Sequence, residues 1–256
     1  MSELTVTFLG TGTSQGVPVI ACDCDVCLSN NPKDNRTRTS AMIQFNGKTI
    51  VIDTGPDFRQ QMLREKVKQL DAILFTHEHK DHIAGMDDIR AFNYQSKQDM
   101  PVYATAQVEQ GLKKEFHYIF AANQYPGIPK IDLHHITNTP FELLGKTITP
   151  ITVMHYKLPV TAFRIDNFTY ITDANYISST EKQKLIGTET LVVNALRDTP
   201  HISHFTLTEA LQLIAEIKPK KAYLTHISHL LGQHNMISKQ LPPHVELAYD
   251  GLTIQA

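Results

Sequence analysis

The 256-residue sequence has no tryptophan, only three cysteines and no excess of charge of one sign. Its 24 basic and 26 acidic side chains leave a net charge of −2, without the basic footprint of a protein that wraps nucleic acid. No apolar run approaches the ~18 residues of a membrane helix. The first ten residues have neither a basic segment nor a sustained apolar one, so we expect no secretory signal peptide.

The scarcity of cysteine also indicates the compartment. All three cysteines lie between residues 22 and 27, and an odd, clustered set is unsuited to a disulfide framework. We therefore expect a reducing, cytoplasmic setting in which the thiolates are free to bind metal. A chain of this length buries about 70–75% of its unfolded surface without disulfides, and we expect one domain over residues 1–256.

Short apolar runs, several bounded by Gly, Asp or Asn, are typical of strands. They cover residues 4–9, 41–45, 49–52, 72–75, 147–153, 168–171, 190–193 and 222–224. Helices are predicted over 83–92 and 207–217, the second with a capping box formed by Thr206 and Glu209. An amphipathic helix followed by a surface loop is predicted within 106–129. Strands early in the chain, with helices mixed in later, favour two sheets sandwiched by helices.

Histidine is abundant, at 13 residues, and three of these side chains follow the strand predicted at 72–75. His77, His79, Asp81 and His82 form the pattern His-x-His-x-Asp-His. On an extended chain, residues two apart point the same way, so His77 and His79 can share one ion. Asp81 and His82 then face a second ion as the chain turns into a helix. Imidazole suits Zn, Mn or Fe, and a carboxylate adds oxygen ligands.

Three further ligand types stand at the ends of predicted strands. His155 follows residues 148–154, Asp173 follows 169–172, and His226 follows 222–225. Strand ends from distant parts of a chain can gather at one edge of a fold, so these side chains are candidates to complete the metal site.

These motifs resemble the metallo-β-lactamase superfamily. The resemblance implies a four-layer αββα sandwich in the α/β class, with His77, His79 and His155 on one metal. Asp81, His82 and His226 would hold the other metal, and Asp173 would bridge both. Asp53, in Asp-Thr-Gly, matches an aspartate that supports the ligands by orienting them.

The stretch Gly10-Thr-Gly-Thr-Ser-Gln-Gly, followed by Cys22, Cys24 and Cys27, resembles the PhnP-like phosphodiesterase branch. That resemblance implies a structural zinc held by the cysteines and by His229, the second histidine of Thr-His-x-x-His. Three thiolates and one imidazole make a closed tetrahedral site with no position for catalysis. His234 is a less favoured alternative as the fourth ligand.

Other residues match the branch less specifically. His204 precedes the helix at 207–217, where the helix N-terminus favours a phosphate, and is predicted to be catalytic together with Asp81. His201 assists His204 or is a solvated loop residue. Residues 85–92 resemble a run in the same relatives, and Asp88 and Arg90 are expected to be structural or to support the ligands. Arg36 and Arg38 either help to bind phosphate or are solvated.

The expected activity is phosphodiester hydrolysis on two divalent ions, Zn or Mn, which lower the pKa of bound water. A small, strained cyclic phosphate is the substrate class that the resemblance implies. The alternatives are tRNA 3′ processing of the tRNase Z type, hydrolysis of a thioester or lactone, and a binding module without activity. Only 17 residues separate His155 from Asp173, too few for a tRNA-gripping arm. A homodimer is possible, and neither a membrane nor a nucleic acid is an expected partner.

Overall fold

The computed structural model describes residues 3–123 and 125–256. Met1 and Ser2, which belong to the signal-peptide prediction, lie outside the described residues, as does Gln124 within the predicted 106–129 region. In the described part of the chain, no helix has the length and apolar composition needed to cross a bilayer.

Over residues 3–123 and 125–256 the chain forms two seven-stranded mixed sheets flanked by helices. The first sheet contains β1 (Thr5–Gly10), β2 (Ser40–Phe45), β3 (Lys48–Ile52), β4 (Ala72–Leu74), β5 (Met100–Ala104), β6 (Ile131–His135) and β14 (Thr253–Gln255). The second contains β7 (Phe141–Leu143), β8 (Lys146–His155), β9 (Leu158–Ile165), β10 (Phe168–Tyr170), β11 (Thr190–Asn194), β12 (Lys221–Thr225) and β13 (Val245–Leu247).

The helices connect the parallel strands. They are α1 (Phe58–Arg64), α2 (Lys80–Ile83), α3 (Arg90–Ser96), α4 (Ala106–Glu115), α5 (Ser179–Gln183), α6 (Leu207–Ile217) and α7 (His234–Ser238). Three-residue or four-residue 3₁₀ turns lie at Pro32–Asp34, Met86–Ile89 and His229–Leu231.

The two sheets follow the same plan of strand directions. The first has the order β14-β1-β2-β3-β4-β5-β6, antiparallel as far as β3 and parallel from β3 to β6. The second has the order β13-β12-β11-β10-β9-β8-β7, parallel from β13 to β10 and antiparallel beyond. The plan is therefore repeated although the sequence shows no internal repeat.

Alternation along each strand builds a four-layer sandwich. Ile50 and Ile52 of β3 point into the core between the sheets, whereas Val51 points to the layer that holds α1, α3 and α4. In β11, Val192 joins the core between the sheets, and Leu191 packs with α6 on the opposite face. Each sheet buries apolar side chains on both faces, which explains why its strands read as continuous apolar runs. The αββα sandwich expected from the sequence is confirmed.

Local signals explain several helix ends. Thr206 accepts the backbone N–H of Glu209, and Glu209 reaches back to the N–H of Thr206, so the predicted capping box is present at α6. Thr105 caps α4 by accepting the N–H of Val108.

One predicted helix is wrong in extent, and another has its end fixed by the structure. Residues 83–92 do not form one helix: α2 ends at Ile83, a 3₁₀ turn follows, and α3 begins at Arg90. The break occurs because Gly85 packs against the Gly55 loop, where a Cβ would lie 2.1 Å from the Gly55 carbonyl oxygen. The helix within 106–129 ends at Glu115, where Phe116 leaves helical geometry and its side chain turns into the core.

Candidate metal centre

Strand ends from both sheets meet at one edge of the sandwich. Asp53 follows β3, the His-x-His-x-Asp-His loop follows β4, and His155 is the last residue of β8. Asp173 follows β10 after two residues, and His226 follows β12 directly. The carboxyl ends of parallel strands are where α/β sheets bind ligands, because the chain leaves the sheet there and side chains converge.

The histidine loop lies beyond the end of its strand. β4 ends at Leu74, so His77 lies in a loop, and His79 is the residue that precedes α2. The prediction that a strand continues through His77 and His79 is wrong, but the backbone at His79 is extended and the two rings lie together, with centroids 4.6 Å apart. The turn into α2 also brings the His82 ring to 4.2 Å from that of His77. The three imidazoles of this segment therefore lie together, two of them in the loop and the third in α2.

The seven predicted metal ligands and His204 lie around one point. The His155 ring is 5.1 Å from His79 and 5.9 Å from His77. Ligand atoms within 4.8 Å of one another form three overlapping sets, and all three contain Asp173. The sets are His77 with His82 and Asp173, His155 with Asp173 and His204, and Asp81 with Asp173 and His226.

Asp173 lies where a bridging ligand would be. Its Oδ2 atom is 3.2 Å from Nε2 of His82 and 3.3 Å from Nδ1 of His226. Asn194, at the end of β11, fixes the turn after Asp173 by bonding both the N–H and the carbonyl oxygen of Ala174. The sequence analysis did not predict this role for Asn194, although Asn194 is a polar residue at a strand end, like the predicted ligands.

Buried nitrogen atoms without hydrogen bonds indicate whether a metal ion fits this site. Among the described residues, four buried imidazole nitrogens form no hydrogen bond: Nε2 of His77, Nε2 of His82, Nδ1 of His204 and Nδ1 of His226. The nitrogens of His82 and His226 lie 3.2 and 3.3 Å from Oδ2 of Asp173, but not in hydrogen-bonding geometry. A buried polar atom without a partner is costly, and a cation at the point where these atoms converge removes that cost. Imidazoles mixed with carboxylates form a donor set for Zn or Mn. The residues present therefore fit two divalent ions.

Electrostatics point the same way. Burial lowers the pKa of His77 and of His226, which leaves both imidazoles neutral, as metal ligands must be. Burial also opposes charge on His82, but the carboxylates of Asp173 and Asp81 outweigh it and raise the pKa of His82. The carboxylates of Asp81 and Asp173 therefore favour a positive charge between them.

Asp53 holds His82 from behind, as its resemblance to the family implied. Its Oδ2 atom is 2.7 Å from Nδ1 of His82, and both its oxygens accept bonds from Thr76. A proton on Nδ1 leaves the opposite nitrogen, Nε2, with a lone pair directed at the cluster. Asp53 is completely buried and has φ of 63°. Asp173 and His226 share that left-handed backbone, with φ of 53° at each, an uncommon conformation that concentrates at functional sites.

His155 is oriented by the backbone. Its Nδ1 atom donates to the carbonyl oxygen of Ser203, 2.9 Å away, which directs Nε2 towards the cluster. His204 follows in the same loop, and its ring lies 4.5 Å from His155 and 4.8 Å from His226. Burial lowers the pKa of His204 to about 2, so the imidazole is neutral. The His201 ring is 5.1 Å from His204 and partly exposed, so it lies beside the site rather than in it.

The second predicted metal site also assembles. The Sγ atoms of Cys22, Cys24 and Cys27 lie 3.3, 3.3 and 3.5 Å from Nδ1 of His229. One imidazole N–H cannot donate to three sulfurs, whereas Zn–S and Zn–N bonds in a tetrahedron place S and N about 3.6 Å apart. The backbone N–H of Cys27 lowers the pKa of the Cys24 thiol to about 6, which favours the thiolate. The donor set and its spacing fit a closed zinc site.

His234, the less favoured fourth ligand, lies elsewhere. It packs against Tyr249, and its Nδ1 atom is 3.3 Å from Nη2 of Arg36. Arg36 is buried and bonds Thr11 and the carbonyl oxygen of Ala248, so it is structural rather than a phosphate ligand. Arg38 is half-buried and paired with Asp57 at 3.0 Å.

Residues 85–92, which resemble a run in related proteins, make contacts within the fold. Arg90 pairs with Asp87 at 3.2 Å, and Asp87 accepts a hydrogen bond from Tyr118. Asp88 lines a surface cavity beside Phe92 and Arg59, away from the histidine cluster. In the described part of the chain, these contacts join neither Asp88 nor Arg90 to a predicted metal ligand, which favours a structural role over support of the ligands.

Helix α4 holds the histidine loop, which the sequence did not reveal. Gln107 donates to Glu78 at 2.8 Å, and Lys80 pairs with Glu115. Between these contacts, a Cβ on Gly111 would lie 2.4 Å from the Cβ of Glu78. A glycine inside a helix is a signal of close approach, and here the helix backbone lies directly against the loop that carries His77 and His79.

Comparison with known proteins identifies the family. Residues 48–227 match the model of the beta-lactamase superfamily domain. The chain therefore belongs to the metallo-β-lactamase superfamily. A crystal structure described as a new diphosphatase from the PhnP family superposes with a TM-score of 0.94 at 40% identity, covering 100% of this chain and 98% of that one. Within the superfamily, the chain is a PhnP-like hydrolase.

Other relatives are less complete matches. An octanoyltransferase of Porphyromonas gingivalis is 39% identical over 247 residues, which is 95% of this chain and 50% of that protein. A ribonuclease Z of Clostridium kluyveri is 28% identical over 153 residues, 56% of this chain and 48% of that protein. The chain spans about half the length of these curated relatives. Human tRNase Z, short form, shares the fold with a TM-score of 0.73 at 18% identity.

Proposed function

We propose that this chain is a dinuclear-metal phosphodiesterase that acts on a small substrate and carries a separate structural zinc. The convergence of unpartnered imidazole nitrogens on the oxygens of Asp173 is the observation that carries this proposal. His77, His79 and His155 would hold one ion, Asp81, His82 and His226 the other, and Asp173 both. Zn and Mn are the ions we favour for this donor set.

Two substrate chemistries share the group that this site would attack. In a cyclic phosphodiester and in a diester of diphosphate, the phosphorus carries two bridging oxygens and one negative charge. The similar structure is described as a diphosphatase, which motivates the diphosphate diester, and the cyclic phosphates implied by the sequence resemblance belong to the same class. We therefore propose disubstituted phosphoryl groups as the substrate class, with cyclic phosphodiesters and diphosphates both included.

The chain's own residues orient and stabilise this reaction. When bound, the two ions supply a hydroxide at neutral pH and neutralise phosphoryl charge. Asp53 and Ser203 fix the tautomers of His82 and His155, so their free nitrogens face the cluster. His204, kept neutral by burial, would donate a hydrogen bond to a phosphoryl or leaving-group oxygen in the transition state.

The alternatives have less support. Residues 156–172, between His155 and Asp173, form a turn, β9 and β10 of the sheet, which leaves no inserted arm to hold tRNA. The octanoyltransferase relative is twice as long as the part that aligns, so its name does not assign acyl transfer to the aligned half. Thioester hydrolysis is nevertheless a useful comparison, because the same metal centre could polarise a carbonyl.

Elemental analysis combined with a substrate panel tests the proposal. The purified chain, loaded with Zn or Mn, would be assayed on a cyclic phosphodiester, a diphosphate diester, an octanoyl thioester and a precursor tRNA. We expect close to three metal ions per chain and cleavage of a phosphoryl substrate. Cleavage of the thioester or the tRNA, with neither phosphoryl substrate cleaved, would overturn the proposal.

A further inference from the structure

A cavity of about 480 Å³ opens directly above the metal centre, and its outer wall is not explained by metal binding. Its floor includes His79 and His155. Its wall is formed by the β8–β9 turn and by the loop before α6, chiefly Tyr156, Lys157 and Ile202. Volumes of this size accommodate small-molecule ligands. A ligand bound in this cavity would contact both the two histidines and this wall.

The wall presents apolar side chains to solvent. Tyr156 is 51% exposed and Ile202 is 64% exposed. Lys157 adds a cation 5.3 Å from the Tyr156 ring centroid, and in the described part of the chain it has no carboxylate partner. An aromatic ring, an aliphatic side chain and an unpaired cation around one cavity suit a substrate with a flat apolar part and a negative charge.

The backbone at Tyr156 has a conformation that an aromatic residue does not favour. His155 and Leu158 pair, so Tyr156 and Lys157 form a two-residue hairpin turn. Tyr156 has φ of 58°, and of the two turn residues only Tyr156 has a positive φ. A turn with positive φ at its first central residue favours glycine there, and an aromatic residue is strained. Strain of this kind is retained where a side chain has a function.

Asn175 fixes both sides of the cavity relative to each other. Its Oδ1 atom accepts the backbone N–H of Tyr156 at 2.8 Å, and its Nδ2 atom donates to the carbonyl oxygen of Ile202 at 3.0 Å. His155 adds a third link through the carbonyl oxygen of Ser203. The wall is therefore preorganised, and the exposed side chains of Tyr156 and Ile202 are not parts of a freely moving loop.

From this geometry we propose that Tyr156 and Ile202 form a subsite for a planar aromatic group on the phosphoryl substrate, with Lys157 facing its negative charge. The subsite rests on the proposed function, because its floor is the metal centre. The enzyme would thus select, among disubstituted phosphoryl compounds, those that carry an aromatic ring. Tyr156 and Ile202 are specificity residues here and Lys157 assists binding.

Two matched probes test the subsite. P¹-benzyl-P²-methyl diphosphate and P¹-ethyl-P²-methyl diphosphate have the same cleavable bond and differ in the ring. Stacking of one ring on an aromatic side chain gives about a tenfold or greater preference for the benzyl probe in kcat/KM. Tyr156→Gly suits the turn, and it should remove this preference, so that the kcat/KM values for the benzyl and ethyl probes become about equal. Tyr156→Phe keeps a ring and should keep the preference.

Controls separate the subsite from other effects. Tyr176 is 57% exposed near the same loop but does not line the cavity, so Tyr176→Ala should leave the benzyl preference unchanged. Lys157→Gln should raise KM for both probes alike without lowering kcat. The two probes carry the same charge, and the substitution leaves the Tyr156 ring in place. Tyr156→Gly should not lower the melting temperature, because glycine relieves the strain in the turn. If Tyr156 had a purely structural role, its loss would lower the melting temperature.

The outcomes distinguish this proposal from the proposed function. A benzyl preference that is absent in the wild type, or unchanged in Tyr156→Gly, would overturn the subsite while phosphoryl cleavage still stands. If the metal-loaded wild type cleaves neither probe nor a cyclic phosphodiester but does cleave a thioester, the proposed function fails instead.

Discussion

At the scale of single residues, the site depends on which nitrogen of each imidazole faces the cluster. His82 and His155 each use one ring nitrogen for an oxygen of the protein, either the carboxylate of Asp53 or the carbonyl of Ser203. The opposite nitrogen is left for metal. His204 differs, because its Nδ1 atom is buried and unpartnered, and its nearest carboxylate oxygen, on Asp173, is 3.8 Å away. This places His204 close to the metal centre without a partner of its own.

His204→Ala is expected to reduce turnover by about 10²-fold or more, as loss of an acid–base or hydrogen-bonding group does. Metal content should stay the same, because the predicted ligands remain. Elemental analysis and steady-state kinetics on the same sample measure both. His201→Ala is the matched control, since His201 is partly exposed beside the site. Unchanged turnover in His204→Ala, or loss of a metal ion, would contradict the catalytic role.

His234 predicts a pH dependence of folding. Burial, with Arg36 and Lys33 next to it, lowers the pKa of His234 from 6.5 to about 4. The unfolded chain therefore binds a proton near pH 6.5 that the folded chain takes up only near pH 4. Stability from this group is complete above the unfolded pKa and is lost as the pH falls through this window.

His234→Asn should make the free energy of unfolding fall less steeply between pH 6.5 and 4 than in the wild type. Asparagine can accept the Arg36 bond but does not titrate, and the backbone N–H of residue 234 still reaches Asp34. Urea unfolding of the metal-loaded protein across this range measures the effect. Parallel curves for the two proteins would show that His234 does not contribute.

At the scale of elements, the histidine loop takes its shape from a neighbouring helix. Gln107, Gly111 and Glu115 lie on one face of α4, and all three face the loop between β4 and α2. In an isolated helix, Gly→Ala is favourable by about 1 kcal/mol. Here the added Cβ would overlap the Cβ of Glu78, so packing opposes helix propensity.

Gly111→Ala should therefore lower the melting temperature and weaken metal binding, despite the gain in helix propensity. Adding Glu78→Gly removes the opposing Cβ and should restore part of the loss. Gln110→Ala, at an exposed position of the same helix, should change neither property. Thermal unfolding and metal titration measure the effects. A more stable Gly111→Ala protein with unaltered metal affinity would show that the loop moves aside at little cost.

At the scale of the whole molecule, two distant segments are joined by the cysteine site. Cys22, Cys24 and Cys27 belong to a loop after β1, and His229 lies three residues beyond the ligand candidate His226. Gly12 also pairs with Ile227. A structural metal here would tie the N-terminal loop to the loop that carries His226, because metal binding and folding are coupled.

Cys24→Ser should reduce the metal content by about one ion per chain, since a structural zinc takes four protein ligands. The melting temperature should fall, and activity should fall in part, because the predicted catalytic ligands remain but the His226 loop is less constrained. Elemental analysis, thermal unfolding and kinetics measure the three effects. Asp23→Asn, an exposed change in the same loop, is the control. Unchanged metal content would contradict the zinc site.

The sequence by itself determined the types of the predicted ligands, the positions of many strands and the layered architecture. Apolar runs located β1 to β4, β8 and β10 to β12, because strands buried on both faces need continuous apolar side chains. The polar residues that end those runs supplied the predicted ligands. Strands β5, β6, β7, β9, β13 and β14 were missed, because several lie at sheet edges or carry polar side chains.

Only the tertiary structure decided which candidates meet. His229 and His234 both offer an imidazole, and the sequence favoured His229 only by resemblance, whereas in the structure His234 lies beside Arg36 and His229 lies beside the cysteines. The close approach of Gly111 and the strained turn at Tyr156 also depend on contacts between segments far apart in sequence. Residue types and local periodicity are properties of short stretches, whereas distances between strand ends depend on how two sheets pack, and no short stretch contains that information.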